Sequence, residues 1–307
     1  MDPIIERNLA SFAPISLATL NGKAEMLARL DNKYILPASR LAPAIAAFAE
    51  SFDILEIAGK RAFAYATRYF DDGELRGYYD HLERRRKRCK VRVRDYVDAG
   101  FSFLEIKLKD KRSITIKHRL AVDAYLPALD DRCMDFVGDR YRDTYRQDFG
   151  KALDPAMIVE YERITLVAKA GGERMTIDTA LAFRSGNVAR AAPAHIFVVE
   201  TKSARGNGIA DKILRALHVQ PTRQASKYCI GMAATGRVTR RNGFLPALRR
   251  LGLVDPLSPV LRPLIGGPAP ALTTTPFLIS GSHDRVPPVP RFAADDECLA
   301  GPVYACG

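Results

Sequence analysis

The chain has 307 residues, with 47 lysines and arginines against 35 aspartates and glutamates, a net charge of +12. At 47% hydrophobic and 27% charged residues it reads as a globular protein with a large core, and no run approaches the roughly 18 apolar residues of a membrane-spanning helix. Residues 1–12 lack the apolar stretch of a secretory leader, so a cytoplasmic protein without a membrane span is expected, with a membrane partner left open.

Cysteines 89, 133, 229, 298 and 306 form no C-x-x-C pair, and the five histidines form no H-E-x-x-H motif. Free thiols are therefore expected, without a zinc site, and any metal should be bound through oxygen. The basic excess points to a polyanionic partner: nucleic acid, an anionic membrane surface or a phosphorylated small molecule.

In chain order, an alternating strand-like run covers residues 29–36, followed by a helix over 41–52 with Leu41, Ile45, Phe48 and Phe52 on one face and Ser39 as its cap. Asp72-Gly73 marks a turn, and alternating runs recur at 90–94, 104–109 and 113–119. Residues 121–152 read as a helical region with Val137, Tyr141, Tyr145 and Phe149 facing a core. Further runs lie around 161–163, 174–178 and 198–202, with Gly171-Gly172 as a hairpin turn and a short helix over 209–218. The Pro- and Gly-rich text of 255–307 has neither period and is expected to be a disordered tail, leaving 20–254 as the folded domain.

Side chains alternate across a strand, so parity reveals an unusual face. Arg29, Asp31 and Lys33 share one side, as do Lys90, Arg92 and Arg94; Glu105, Lys107 and Lys109; Thr115, Lys117 and Arg119; Tyr161 and Arg163; Arg174, Thr176 and Asp178; and Val198, Glu200 and Lys202. An open sheet with one wet side would alternate too. A solvated face usually mixes small polar residues with both charges, however, whereas these positions favour long bases. Two like charges 4 Å apart repel by about 4 kcal/mol at an effective dielectric near 20, so converging bases need counter-anions. If the face turns inward, it becomes an anion-binding tunnel. Guanidinium forks and mobile ammonium groups suit a linear triphosphate or polyphosphate. Among the interleaved acids Asp31, Glu105, Asp178 and Glu200, the last is the candidate to hold a divalent cation on phosphate oxygens, and pairing with the bases is expected of the others.

These residues, together with Tyr65-x-Thr67-x-Tyr69-Phe70-Asp71, Phe103-Leu-Glu-Ile-Lys107 and Ser226-Lys227-Tyr228, resemble the VTC domain over residues 20 to 235. This is the catalytic domain of the vacuolar transporter chaperone complex, which also occurs in bacterial stand-alone proteins. The resemblance implies an α+β fold: a closed antiparallel barrel of about eight strands, the triphosphate tunnel of the CYTH-like superfamily, with helices packed outside. It implies polyphosphate synthesis, in which the γ-phosphoryl of ATP passes to a growing inorganic polyphosphate chain with Mn2+ or Mg2+ and ADP is released. By that likeness Arg92, Arg94, Lys107, Arg163 and Arg174 are the catalytic bases, Lys33, Lys117, Lys202 and Lys227 bind phosphate, and Glu200 is the metal ligand. A hydrolase of triphosphate or short polyphosphate, and a non-catalytic polyphosphate-binding module, are the alternatives.

One departure from the family pattern is Gln224, beside Arg223, where members often carry a second base three residues before the lysine matching Lys227. The run Glu83-Arg-Arg-Arg-Lys-Arg88 reads as a solvated loop or a funnel for anions. Without tryptophan or an aromatic stacking strip, nucleic acid is not the expected partner. Tyr65, Tyr69, Tyr78 and Tyr79 are expected to pack in the barrel wall rather than to hold a base.

Overall fold

The computed structural model describes residues 3–23, 30–109 and 115–254. Arg29, the start of the 113–119 run and the expected tail at 255–307 lie outside the described residues. The elements, in chain order, are α1 Pro3–Leu9, β1 Pro14–Ile15, α2 Leu17–Lys23, β2 Leu30–Pro37, α3 Ala38–Ser51, β3 Phe52–Leu55, β4 Ala62–Asp71, α4 Arg76–Leu82, β5 Arg88–Tyr96, β6 Phe101–Lys109 and β7 Thr115–Val122. They continue with α5 Asp131–Tyr145, β8 Asp154–Ala168, β9 Arg174–Ser185, β10 Val188–Ala191, β11 Ile196–Ser203, α6 Ile209–Ala216, α7 Lys227–Ala234 and α8 Leu245–Arg250.

All the strands join one sheet whose main path runs β2-β11-β9-β8-β4-β5-β6-β7. Along that path the ladders are antiparallel throughout, and off it the short β1 joins β3 in parallel. Gly171-Gly172 lies in the β8–β9 hairpin, as its flanking alternation predicts. Asp72-Gly73 instead leads into α4, where the Asp71 carboxylate accepts hydrogen bonds from the backbone N–H groups of Gly77 and Tyr78 and from the Tyr228 hydroxyl. The expected helical region at 121–152 is narrower than its spacing suggests. Its first residues finish β7, and α5 begins only after Asp130, whose side chain accepts from the Cys133 N–H as an N-cap. For α3, Pro37 rather than Ser39 occupies the cap position, and no side chain caps it.

Among the described residues no ladder joins β2 to β7, so the expected closed barrel is not completed by backbone hydrogen bonds there. The sheet nevertheless curls. Lys33 on β2 and Lys107 on β6 lie six strand steps apart, ~29 Å on a flat sheet at about 4.8 Å per step, far beyond a Debye length. Yet the Lys107 ammonium feels both Lys33 and Glu200 of β11, which requires the two walls to face each other.

Helices cover the convex side. α1, α3 and α6 bury Ile5, Leu41, Ile45, Phe48 and Leu214 against Tyr34, Phe197, Val199 and Ile177. On the other wall, α5 buries Val137 and Tyr145 against Val91, Val93, Leu104 and Ile106. Asp211 of α6 ties this layer to the sheet by accepting from Tyr34, Thr201 and Asn32. α7 is the exception, because it enters the concave side. Tyr228 and Met232 pack with Ile35, Tyr69, Met157, Val159 and Val198, plugging one end of the groove. A Cβ at Gly231 would lie 2.8 Å from Phe183 and 2.9 Å from the Met157 sulfur, so this close approach requires glycine. Tyr65 and Tyr69 lie on β4, whereas Tyr78 and Tyr79 belong to α4, so the four do not form one set in the wall. Cys89, Cys133 and Cys229 are free thiols, and no described helix is long and apolar enough to cross a membrane.

Candidate active site

Strand parity carries the long bases onto the concave face, because the apolar partner residues of the same strands are taken by α3, α5 and α6. Three acids organise this face. Glu105 on β6 is fully buried and sits among four bases: Arg92 at 2.6 Å, Lys117 at 3.2 Å, Arg119 at 3.4 Å and Arg94 at 3.8 Å. Burial alone would raise its carboxyl, but the bases outweigh it and hold the group well below the usual range. Asp178 on β9, also fully buried, accepts both arms of the Arg163 fork at 2.6 and 2.8 Å and pairs with Lys227 at the start of α7. Against burial, Arg163 and Lys227 hold it at about 2. Glu200 on β11 pairs with lysines, Lys202 at 3.1 Å and Lys33 at 3.5 Å. These, with Lys107, outweigh burial and keep it ionised.

The expected site residues Lys33, Arg92, Arg94, Lys107, Lys117, Arg163, Lys202, Lys227 and Glu200 thus meet on one face. Arg174 stands on the same face of β9 as Asp178, directly opposite Lys202 in the ladder. Three residues belong with them on parity but were left out of the candidate set. Lys90 shares its side of β5 with Arg92 and Arg94, and its ammonium contacts the His81 ring at 3.0 Å and donates to Ser226 at 2.8 Å. Arg119 belongs through Glu105. Tyr161 stands beside Arg94 and Arg163; burial raises its hydroxyl, but the two arginines override that and lower it. Gln224 extends its side chain toward the Leu82 carbonyl of α4 and supplies no base in place of the missing one.

The face remains short of negative charge. Lys107 has no carboxylate within ion-pair distance among the described residues, and burial and Arg92 depress its ammonium well below the ordinary lysine range. Burial lowers Lys117 to about 7, and Lys90 and Lys202 to about 8, with neighbouring bases contributing in each case. Three buried polar atoms on the face have no hydrogen-bond partner among the described residues: the Thr67 hydroxyl on β4, the Thr176 hydroxyl on β9 and the Arg94 Nε–H. Buried polar atoms without a partner among the described residues and lysines with depressed pKa values, gathered in one groove, are features that suit an anionic ligand.

A bound anion raises the lysine pKa values, so binding takes up protons, and affinity falls as pH climbs past about 7 to 8. Sulfate keeps a constant charge over that range. Its dissociation constant, measured by calorimetry, is expected to rise about tenfold or more between pH 6 and pH 9. A flat profile would place the sulfate away from these lysines.

As for a metal, no group of three His, Cys, Asp or Glu residues converges among the described residues. Glu105 and Asp178 are engaged by arginines, whereas Glu200 faces mobile lysine ammoniums. The donor set therefore fits a hard cation held by one carboxylate, with phosphate oxygens and water supplying the rest, the usual arrangement for magnesium on a phosphate substrate.

The basic run is the connection between α4 and β5. Arg84, Arg85 and Arg86 are exposed, and Arg85 pairs with Asp80 at 3.3 Å and Glu83 at 3.0 Å.

The chain matches no curated protein. Among solved structures it is similar to the PH1012 protein of Pyrococcus horikoshii OT3, with 14% identity, 63% of this chain and 95% of that chain covered, and a TM-score of 0.35. It is also similar to HpAC1 from Hippeastrum, a proposed adenylyl cyclase with a dominant triphosphatase activity, at 12% identity, 70% and 99% coverage and a TM-score of 0.36. For the PH1819 protein of Pyrococcus horikoshii OT3 the figures are 13% identity, 64% and 94% coverage and a TM-score of 0.35. The family model of the VTC domain matches residues 28–235, the span that holds every base and acid of the concave face described above, and the chain belongs to that family.

Proposed function

We propose that this protein is a divalent-metal-dependent polyphosphate polymerase that transfers the γ-phosphoryl of ATP to the end of an inorganic polyphosphate chain. The observation that carries the proposal is the convergence of bases from seven strands and the start of α7 on one curled face, where, among the described residues, Lys107 has no carboxylate in ion-pair range and buried polar atoms have no partner. Membership of the VTC domain family agrees with it.

In this reading the groove closes around the guest as a tunnel. Arg92, Arg94, Lys107, Arg163 and Arg174 hold the triphosphate of ATP. Lys33, Lys117, Lys202 and Lys227 neutralise the acceptor chain and the rest of the polyanion. A terminal oxygen of the acceptor attacks the γ-phosphorus while the bond to the β–γ bridging oxygen breaks, so the acceptor gains one phosphate and ADP departs. Negative charge moves from the transferred group onto the leaving oxygen, and fixed guanidinium groups stabilise that redistribution without reorganising. Glu200 would hold Mn2+ or Mg2+, which neutralises phosphate charge and orients the oxygens. No side-chain nucleophile is needed.

Incubation with ATP and manganese, followed by sizing of the phosphate products on a gel, tests the proposal. Chains longer than three phosphates accumulating with ADP are expected. Release of orthophosphate alone would make the protein a hydrolase of the same fold, and no turnover with intact polyphosphate binding would make it a binding module.

A further inference from the structure

The concave face does not end in charge. Toward the β5–β6 hairpin the same parity continues as aromatic rings: Tyr96 follows Arg94 on β5, and Phe103 and Phe101 precede Glu105 on β6. Tyr65 on β4 and Tyr161 on β8 join them. Tyr65 and Tyr161 stack with centroids 5.4 Å apart and planes 2° off parallel, Tyr65 meets Tyr96 at 5.1 Å, Tyr96 stacks on Phe101 at 4.7 Å, and Phe101 meets Phe103 at 5.6 Å. Exposure rises along this strip, from 4% at Tyr161 to 36% at Phe101. Cations link it to the groove: the Arg94 and Arg163 guanidinium groups lie over the Tyr65 ring at 5.8 and 5.3 Å, and Arg119 lies over Phe103 at 5.7 Å.

We infer that Phe101, with Tyr96 beneath it, is a stacking platform for the base of a nucleoside triphosphate whose phosphates occupy the cationic groove. The inference rests on reading the groove as a triphosphate site. Tyr96 lies two residues beyond Arg94, about 7 Å along the strand, which leaves room for a sugar between a phosphate on the arginine and a base on the rings. An inorganic chain gains little from an aromatic wall, whereas any nucleobase has a π face to lay against one. The competing role is local, since Tyr96 and Phe101 are cross-strand neighbours that would also steady the hairpin.

The two roles separate when ATP is compared with inorganic tripolyphosphate, both titrated calorimetrically into wild type, Phe101→Ala and Phe101→Trp. The platform predicts that Phe101→Ala weakens ATP by at least about fivefold while tripolyphosphate stays within about twofold, and that Phe101→Trp retains both affinities. Equal losses for the two ligands would reduce Phe101 to a hairpin staple, and unchanged affinities would remove it from the site; either result overturns the inference. Wild-type protein that fails to bind tripolyphosphate would overturn the triphosphate site itself, and the platform with it.

Discussion

Glu105→Gln is expected to lower the melting temperature of the ligand-free protein by about 10 °C. The carboxylate is fully buried and lies within 4 Å of Arg92, Arg94, Lys117 and Arg119. Neutralising it leaves four bases facing one another with no counter-charge. Breaking a buried charge network in this way costs roughly 3–5 kcal/mol, and a domain of this size loses about 2–4 °C per kcal/mol. The variant should also respond more strongly to its ligand, because an added polyanion replaces the missing charge. Saturating tripolyphosphate is therefore expected to raise its melting temperature by more than that of the wild type. A shift below about 2 °C, or an equal ligand response in both proteins, would show that Glu105 does not hold the bases together.

Glu200→Gln should act more on turnover than on stability. Its ion-pair partners among the described residues are two lysines with 13% and 28% side-chain exposure, against the four bases that surround Glu105. If Glu200 holds the metal on the phosphates, transfer from ATP should fall on the order of a hundredfold or more at saturating substrate. Metal-free binding of tripolyphosphate should persist or tighten, since a negative charge has left the groove. Near-normal turnover would return Glu200 to an internal ion pair. Lost tripolyphosphate binding would mean that the carboxylate mainly positions Lys33 and Lys202.

Much of this site was legible from alternation alone. Lys90, Arg92 and Arg94 had to share a side because Val91 and Val93 needed the other, and α5 does cover both valines. The partner of each acid could not be read that way. Glu105 collects bases from β5 and β7 and Asp178 one from β8, which are consequences of ladder register across the sheet, and the second base on Asp178 comes from the way α7 is seated. The closed barrel is what the family resemblance implies, and the described strands show curling without a ladder between β2 and β7. The aromatic strip was missed because Tyr65, Tyr96, Phe101 and Tyr161 are scattered along the chain. Of the tyrosines grouped by sequence proximity, Tyr78 and Tyr79 sit on a helix. The short α7 gave no amphipathic stripe because it is buried on nearly every side, with Tyr228, Cys229, Ile230, Gly231, Met232 and Ala233 in succession.

If the bases on the concave face grip a single linear phosphate chain together, a crystal structure of the protein with tripolyphosphate bound should show the chain in the groove, its oxygens within hydrogen-bonding distance of Arg92, Arg94, Lys107 and Arg163 and of the Thr67 and Thr176 hydroxyls. Tripolyphosphate lying instead on exposed Arg84–Arg86, with the pairs of Glu105, Asp178 and Glu200 unchanged and the groove holding only water, would contradict it.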